Sequence, residues 1–339
     1  MTTKPQTPMN WPETLQQAVV YFADPDRCLE AAISLRWPGG QVTCPTCGSP
    51  DVHFIATRRI WRCKGRPHTK KQFSVKVGTI MEDSPIALDK WMVAMWLLSS
   101  AKNGISSYEL SRAIGITQKS AWFMLHRIRL AMQNTPGPFK GHVEADETFI
   151  SGKARNMHKG RKARVLKGRQ SGVVGKIAVF GVLERNSPDR KSRVVTQVVP
   201  NIRRRSLQSE LRRQVTMDGR STVYTDALKS YEPKTPTGWR PSDLYIHKVI
   251  DHAKAYAEGE VHTNGMENFW SLLKRTIKGT YVSVEPFHLF RYLDEQAFRF
   301  NERGLTDADR FRQVANAVVG KRLTYRALTG ADFPESHAS

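Results

Sequence analysis

Three acidic residues, far apart in the chain, each sit in a context suited to metal chemistry. Asp146 lies in the strand-like run from His142 to Ile150. Asp226 closes a second such run that starts at Ser221. Glu267 stands near the start of a helical stretch from His262 to Arg275. Strand alternation puts Glu144 and Asp146 on one face and Glu147 on the other. Lys274 follows Glu267 by seven positions, close to two helical turns, so both share one face. Two strand-borne aspartates and a helix-borne glutamate can converge on paired divalent ions. Hard carboxylate oxygens suit Mg²⁺ or Mn²⁺. Two such ions about 3.5–4 Å apart activate a hydroxyl and stabilise a leaving oxygen in phosphodiester cleavage. A lone aspartate is more often structural or a surface residue. The triple with Lys274, in a basic chain, favours the metal reading.

A second group of ligands is softer. Cys44 and Cys47 form a C-x2-C knuckle, and Cys63 follows at a spacing close to that of paired zinc knuckles. The expected fourth cysteine is absent. His68 takes its place, with His53 as the alternative, and a Cys3His set suits tetrahedral Zn²⁺. The competing reading is a ribbon without metal, held by Phe54, Ile60, Trp61 and Phe73. Cys28 lies outside the pattern and reads as a small buried hydrophobe.

The elements that position these groups follow from periodicity. Residues 11–36 are expected as a helix, and residues 41–80 alternate and carry turn residues. A helix is expected from Leu88 to Leu98, then two more over Ser107–Ala113 and Thr117–Met132, parted by Gly115. That pair has the shape of a helix-turn-helix. Its second helix is expected to expose Gln118, Lys119, Ser120, His126, Arg127 and Arg129 and to bury Ala121, Met124, Leu125 and Ile128. Gln118, Lys119, Ser120 and Arg127 are the candidate DNA contacts. The alternative is a helical hairpin that only packs. Beyond the Pro136-Gly137-Pro138 linker, strands are expected at 142–150, 176–185, 193–199, 221–226 and 244–250. Helices are expected near 205–216, 264–278 and 286–302. This order fits a mixed sheet flanked by helices, an α+β multidomain chain.

The 339 residues should hold two or three domains. The boundaries read as a helical segment at 1–36, a ribbon at 37–82 and the helix-turn-helix region at 83–135. A domain carrying the acids follows at 140–303, then a tail at 304–339 expected to fray at its end. The net charge of +22 points to a polyanionic partner, since each neutralised phosphate releases counterions. Lys159, Arg161, Lys162 and Arg164 lie in a basic stretch after the first acidic strand and are further candidate phosphate contacts. Arg203, Arg204 and Arg205 either do the same or open the helix that follows. With no apolar N-terminal segment and no long apolar run, a cytoplasmic, nucleoid-associated protein with reduced thiols is expected and a membrane partner is not.

The run from Val261 to Arg275 resembles the third-acid signature of bacterial insertion-sequence transposases that carry an N-terminal zinc ribbon, the ISXO-like transposase domain. Val143 to Phe149 is similar to that family's first-acid strand, and Tyr224-Thr225-Asp226-Ala227 to its second. Phe73 to Glu82 is similar to the stretch after its ribbon. The resemblance implies an RNase H-like domain and DDE-class chemistry. Water frees a 3′-hydroxyl at a transposon end, and that hydroxyl then attacks target DNA. Asp146, Asp226 and Glu267 would carry the metals, and Lys274 would hold a terminal phosphate. A dimer or larger synaptic assembly would bring two ends together. The alternatives are a DNA-binding regulator or inactive relic that only occupies inverted repeats, and a nuclease with no joining step.

Overall fold

A computed structural model of the chain describes residues 11–65, 67–133, 136–150, 176–226, 228–231, 244–250 and 262–331. It divides them into two units, one running to Met132 and resuming at Leu305, the other spanning Gln133–Gly304. The expected helix over residues 11–36 is two helices, α1 (Leu15–Ala23) and α2 (Pro25–Arg36). Pro25 has no N–H to continue α1, and Asp24 ends one helix and caps the next by accepting from the Asp26 and Arg27 N–H groups. Three short antiparallel strands follow, β1 (Val52–Ile55), β2 (Ile60–Cys63) and β3 (Gln72–Phe73). Next, α3 (Leu88–Ser100) buries Trp91, Met92, Met95, Trp96 and Leu98, apolar nearly all round as a central helix must be. Then come α4 (Ser107–Ile114) and α5 (Gln118–Met132). Between them Gly115 adopts φ 61°, a left-handed turn that a side chain would strain. Thr117 caps α5 by accepting from the Ser120 N–H.

In the second unit the five strands are β4 (His142–Ile150), β5 (Ile177–Glu184), β6 (Arg193–Val199), β7 (Thr222–Asp226) and β8 (Ile246–Ile250). Their order is β6-β5-β4-β7-β8, with β4, β5 and β6 antiparallel in sequence and β7 and β8 added parallel. Helix α6 (Arg204–Gln214) covers one face, packing Leu207 and Leu211 on Val143, Ala145, Phe180 and Val223. Helices α7 (Asn264–Thr276) and α8 (Leu289–Asn301) cover the other, packing Phe269, Trp270 and Leu293 on Ile150, Val179 and Leu183. With both faces buried, β5 reads as an unbroken apolar run rather than an alternating one. The result is a mixed sheet flanked by helices.

The segment after Arg303, expected as a tail, instead completes the first unit. It forms α9 (Asp307–Asn316) and α10 (Tyr325–Thr329). Phe311 on α9 is fully buried and meets Trp11, Phe22 and Trp96 at ring-centroid distances of 6.2, 5.6 and 5.1 Å. Residues past α9 bridge back, with Ile80 N–H donating to Val318 O and Gly320 N–H to Gly78 O. This return also corrects the expected exposure of α5. His126, Arg127 and Arg129 are buried. Arg127 donates to the carbonyls of Leu323 and Glu82 at 3.1 and 2.8 Å, so it joins segments of the protein rather than facing a ligand. Residues 332–339 lie outside the described residues, and no described helix is long and apolar enough to cross a membrane.

Phe311→Ala leaves a cavity against three aromatic rings. It should destabilise the first unit by about 3–5 kcal/mol, measured by urea unfolding. A loss under 1 kcal/mol would mean the C-terminal segment only rests on that unit.

Candidate active site and zinc centre

Strands β4 and β7 pair through Glu144 and Tyr224 and then stop pairing. Their register, continued for two residues, sets Asp226, the last residue of β7, opposite Asp146, at the middle of β4 and just past the paired stretch. The sheet reverses its order at β4, and clefts in such sheets form at that point. Here an open cavity of about 440 Å³ is lined by Asp146, Glu147, Thr148, Glu267, Trp270 and Lys274. Glu267, Trp270 and Lys274 occupy one stripe of α7, as the seven-residue spacing requires. The Trp270 indole N–H donates to Asp146 Oδ2 at 3.0 Å. Trp270 reaches that point because Gly181, the cross-strand partner of Asp146, has no side chain. A Cβ there would lie 2.7 Å from the indole.

The electrostatics confirm the crowding. Burial pushes the Asp146 carboxyl up to about 6, and the nearby charges of Asp226 and Glu267 add to the rise. Burial likewise pushes Glu147 up to about 7, with Asp226 and Asp146 contributing. Glu147 points to the opposite face, where its Oε2 accepts from the buried Tyr231 hydroxyl at 2.5 Å. Asp226 Oδ1 accepts from the Leu228 N–H. The three acids therefore feel one another, but they do not form a tight single-ion nest. Among the described residues, the only group of three or more metal-type ligands within 4.8 Å of one another contains cysteines and a histidine. A looser set is what two ions would use. With one aspartate shared, the outer carboxylates can stand about 8 Å apart.

That compact group is Cys44, Cys47, Cys63 and His68. Tetrahedral zinc with sulfur at about 2.3 Å and nitrogen near 2.0 Å sets ligand atoms roughly 3.5–3.8 Å apart. The Cys47–Cys63 sulfurs are 3.6 Å apart, and Cys44 Sγ lies 3.5 Å from His68 Nε2. Burial works against a Cys44 thiolate, yet N–H groups of Cys47 and Thr46 directed at the sulfur outweigh it and hold the thiol below its ordinary value. The donor set fits zinc. His53, the alternative ligand, is exposed on β1 and outside the cluster. Phe54, Trp61 and Phe73 do pack together, the last two stacked with centroids 5.8 Å apart. They support the metal site rather than replace it. Cys28 is buried away from the cluster, and burial pushes its thiol up to about 12.

The candidate DNA contacts fare unevenly. Lys119 is exposed, with its ammonium 4.9 Å from the Tyr325 ring centroid. Gln118 and Ser120 are half-buried and bonded to Ser107 and Thr117. Arg127 is buried. Lys159, Arg161, Lys162 and Arg164 lie outside the described residues. Glu147, Tyr231 and the indole contact of Trp270 were not foreseen in the sequence. Nothing in local spacing marks a contact between residues 124 positions apart.

Two stretches of the chain match known protein families. Residues 138–301 match the ISXO2-like transposase domain, and residues 24–65 match a transposase zinc-ribbon domain. The chain is 26% identical over 262 residues to an uncharacterized protein in transposable element ISH50 of Halobacterium salinarum, covering 75% of this chain and 83% of that protein. The ribbon match and the Cys3His geometry together support a structural zinc.

Purified protein should hold stoichiometric zinc, and Cys44→Ser should lose it with a change in Trp61 fluorescence. Equal metal content in both would remove the site. Asp146 offers a second test. Its folded value exceeds its unfolded one, so its contribution to stability falls as pH rises from about 4 to 6 and stays unfavourable above. Asp146→Asn should therefore raise the melting temperature by a few degrees at pH 8 in chelator, a gain of about 1–2 kcal/mol. Added Mn²⁺ should stabilise the wild type and leave the variant unmoved.

Proposed function

Since this chain belongs to the insertion-sequence transposases that join a zinc ribbon to an ISXO2-like domain, we propose that it cuts and rejoins DNA at transposon ends by metal-dependent phosphoryl transfer. The single observation that carries this reading is the cavity where Asp146, Glu267 and Lys274 meet, with Asp226 close enough to raise the Asp146 carboxyl. The sheet order, antiparallel through β6-β5-β4 and parallel through β4-β7-β8, supports an RNase H-like domain.

Asp146, Asp226 and Glu267 would hold Mg²⁺ or Mn²⁺, and the ions would supply activation of the attacking hydroxyl and neutralisation of charge on the leaving oxygen. Trp270 and the Glu147 backbone N–H orient Asp146 by donating to its carboxylate. Lys274, exposed two turns along α7, takes a phosphate oxygen of the DNA end beside the acids. In the first step water attacks the phosphorus at the end of the element. The bond from phosphorus to the 3′-oxygen breaks, the attacking water loses a proton as its oxygen joins the phosphate, and the departing 3′-oxygen takes up a proton to become the new 3′-hydroxyl. That hydroxyl then attacks a target phosphodiester, forming one bond and breaking one. The helix pair α4–α5 presents Lys119 to the terminal repeats, and the excess of basic residues supplies the salt-dependent part of the affinity. Bringing two ends together calls for a dimer or a larger assembly.

The test uses the full chain with DNA carrying the element's own ends. Mg²⁺-dependent nicking and joined products are expected from the wild type. Asp146→Ala, Asp226→Ala and Glu267→Ala should fall to background while still binding the ends. Lys274→Ala should slow cleavage by about tenfold. Equal cutting by wild type and Asp146→Ala would refute the metal assignment. Binding without cutting by any form would favour a regulator, and cutting without joined products a plain nuclease.

A further inference from the structure

Glu144 has no part in the chemistry above, yet its carboxylate is almost wholly buried, at 1% exposure, two residues before Asp146 on the same face of β4. A buried carboxylate needs a reason, because desolvating it is unfavourable unless charge and hydrogen bonds compensate. Both are present. Glu144 Oε1 accepts from Arg185 Nε at 2.8 Å, and Oε2 accepts from the Met266 backbone N–H at 2.9 Å. Arg185 in turn donates to the His262 carbonyl at 2.6 Å and to its Nδ1 at 3.1 Å. The Arg185 guanidinium lies 3.9 Å from the Tyr224 ring centroid. Tyr224 is the register partner of Glu144 and stands two residues before Asp226.

Helix α7 lacks a cap of its own. Thr263, at its N-cap position, makes no side-chain cap hydrogen bond. Glu144 fills that role from another strand. A negative charge at a helix N-terminus satisfies free N–H groups and the helix dipole together. Gly265 makes the approach possible, since a Cβ there would lie 2.8 Å from Glu144 Oε2. One layer below the acids, a single Glu144–Arg185 pair thus touches β4, β7 and the start of α7. These are the three elements that carry Asp146, Asp226 and Glu267.

We propose that Glu144 and Arg185 are positioning residues that set the spacing of the three metal-binding carboxylates by locking those elements together. This rests on the catalytic reading of the acids given above. Removing the clamp frees the first turn of α7, where Glu267 sits, so the acids should bind divalent metal less tightly while the rest of the unit stays folded. A residue that merely supported the fold would lower the amount of active protein without changing the metal requirement.

The experiment compares full-length wild type, Glu144→Ala, Glu144→Gln and Arg185→Lys. Glu144→Gln keeps the shape and an acceptor for Met266 and loses only the charge, so it decides if the alanine variant fails to fold. Two readouts are taken. Amide hydrogen exchange over residues 262–270 in metal-free protein should be faster in the variants. The Mn²⁺ concentration for half-maximal end cleavage should rise about tenfold in Glu144→Gln and up to 100-fold in Glu144→Ala. Glu210→Gln, on α6 against the opposite face of the sheet from α7, should change neither. A folded Glu144→Gln with wild-type exchange and a Mn²⁺ requirement within twofold of wild type overturns the clamp. If Asp146→Ala instead cleaves as well as wild type, it is the catalytic reading that falls.

Discussion

How closely α7 can approach the sheet is the constraint on which the second unit depends. The helix lies low because two glycines leave room for it. Gly181 admits the Trp270 indole, and Gly265 admits the Glu144 carboxylate. That closeness turns one apolar face, Met266, Phe269, Trp270 and Leu273, into a rigid mount for the exposed residues Glu267 and Lys274. It also creates a conflict. Asp146 and Glu147 hold their protons more tightly, first because they are buried and then because the neighbouring carboxylates repel them. On the proposed metal-dependent reading, a bound cation would relieve that repulsion, and the interaction that costs stability would be the one that draws the ion.

The two candidate metal centres differ as their ligands do. The ribbon sheet has only three short strands, one of two residues, and too small a core to persist by burial alone. Thiolates and an imidazole close around one ion and leave no open position. In the second unit the oxygens are looser, partly exposed and spread across strands and helix. That arrangement suits ions that must admit water and phosphate. Sulfur in one place suits a strong structural site, and on the proposed reading oxygen in the other would suit a weaker exchangeable one.

Much of this was legible in the sequence because it rests on local periodicity. All five strands of the mixed sheet lie where β-branched alternation or apolar runs put them. Thr117 and Gly115 announced the α4–α5 turn, and the knuckle spacing led to His68. What escaped was set by tertiary contact. Arg127, Arg129 and His126 look like a solvated basic face, yet all three are buried, and Arg127 bonds to the returning C-terminal segment. The break at Asp24-Pro25 was readable and was overridden by the apolar spacing on either side. Glu144 reads as one more acid in an acidic strand. Its role depends on Arg185 and Met266, 41 and 122 residues away. Trp270 reaches Asp146 only because Gly181 has no side chain, a fact that the helical position of Trp270 does not reveal.

The interrupted layout of the first unit imposes an order on biosynthesis. Phe311 and the strand-like contacts at Val318 and Gly320 emerge from the ribosome only after all of Gln133–Gly304 has been made. At about 5–20 residues per second, Trp96 and Phe22 wait on the order of 10–60 s for the ring that buries them. The knuckle cysteines and His68, all within the first stretch, can meet zinc during that interval. An mRNA cut short anywhere in the sheet-forming region therefore yields a ribbon on an unfinished helical body, never a completed first unit alone. The chain is built so that its N-terminal half matures last.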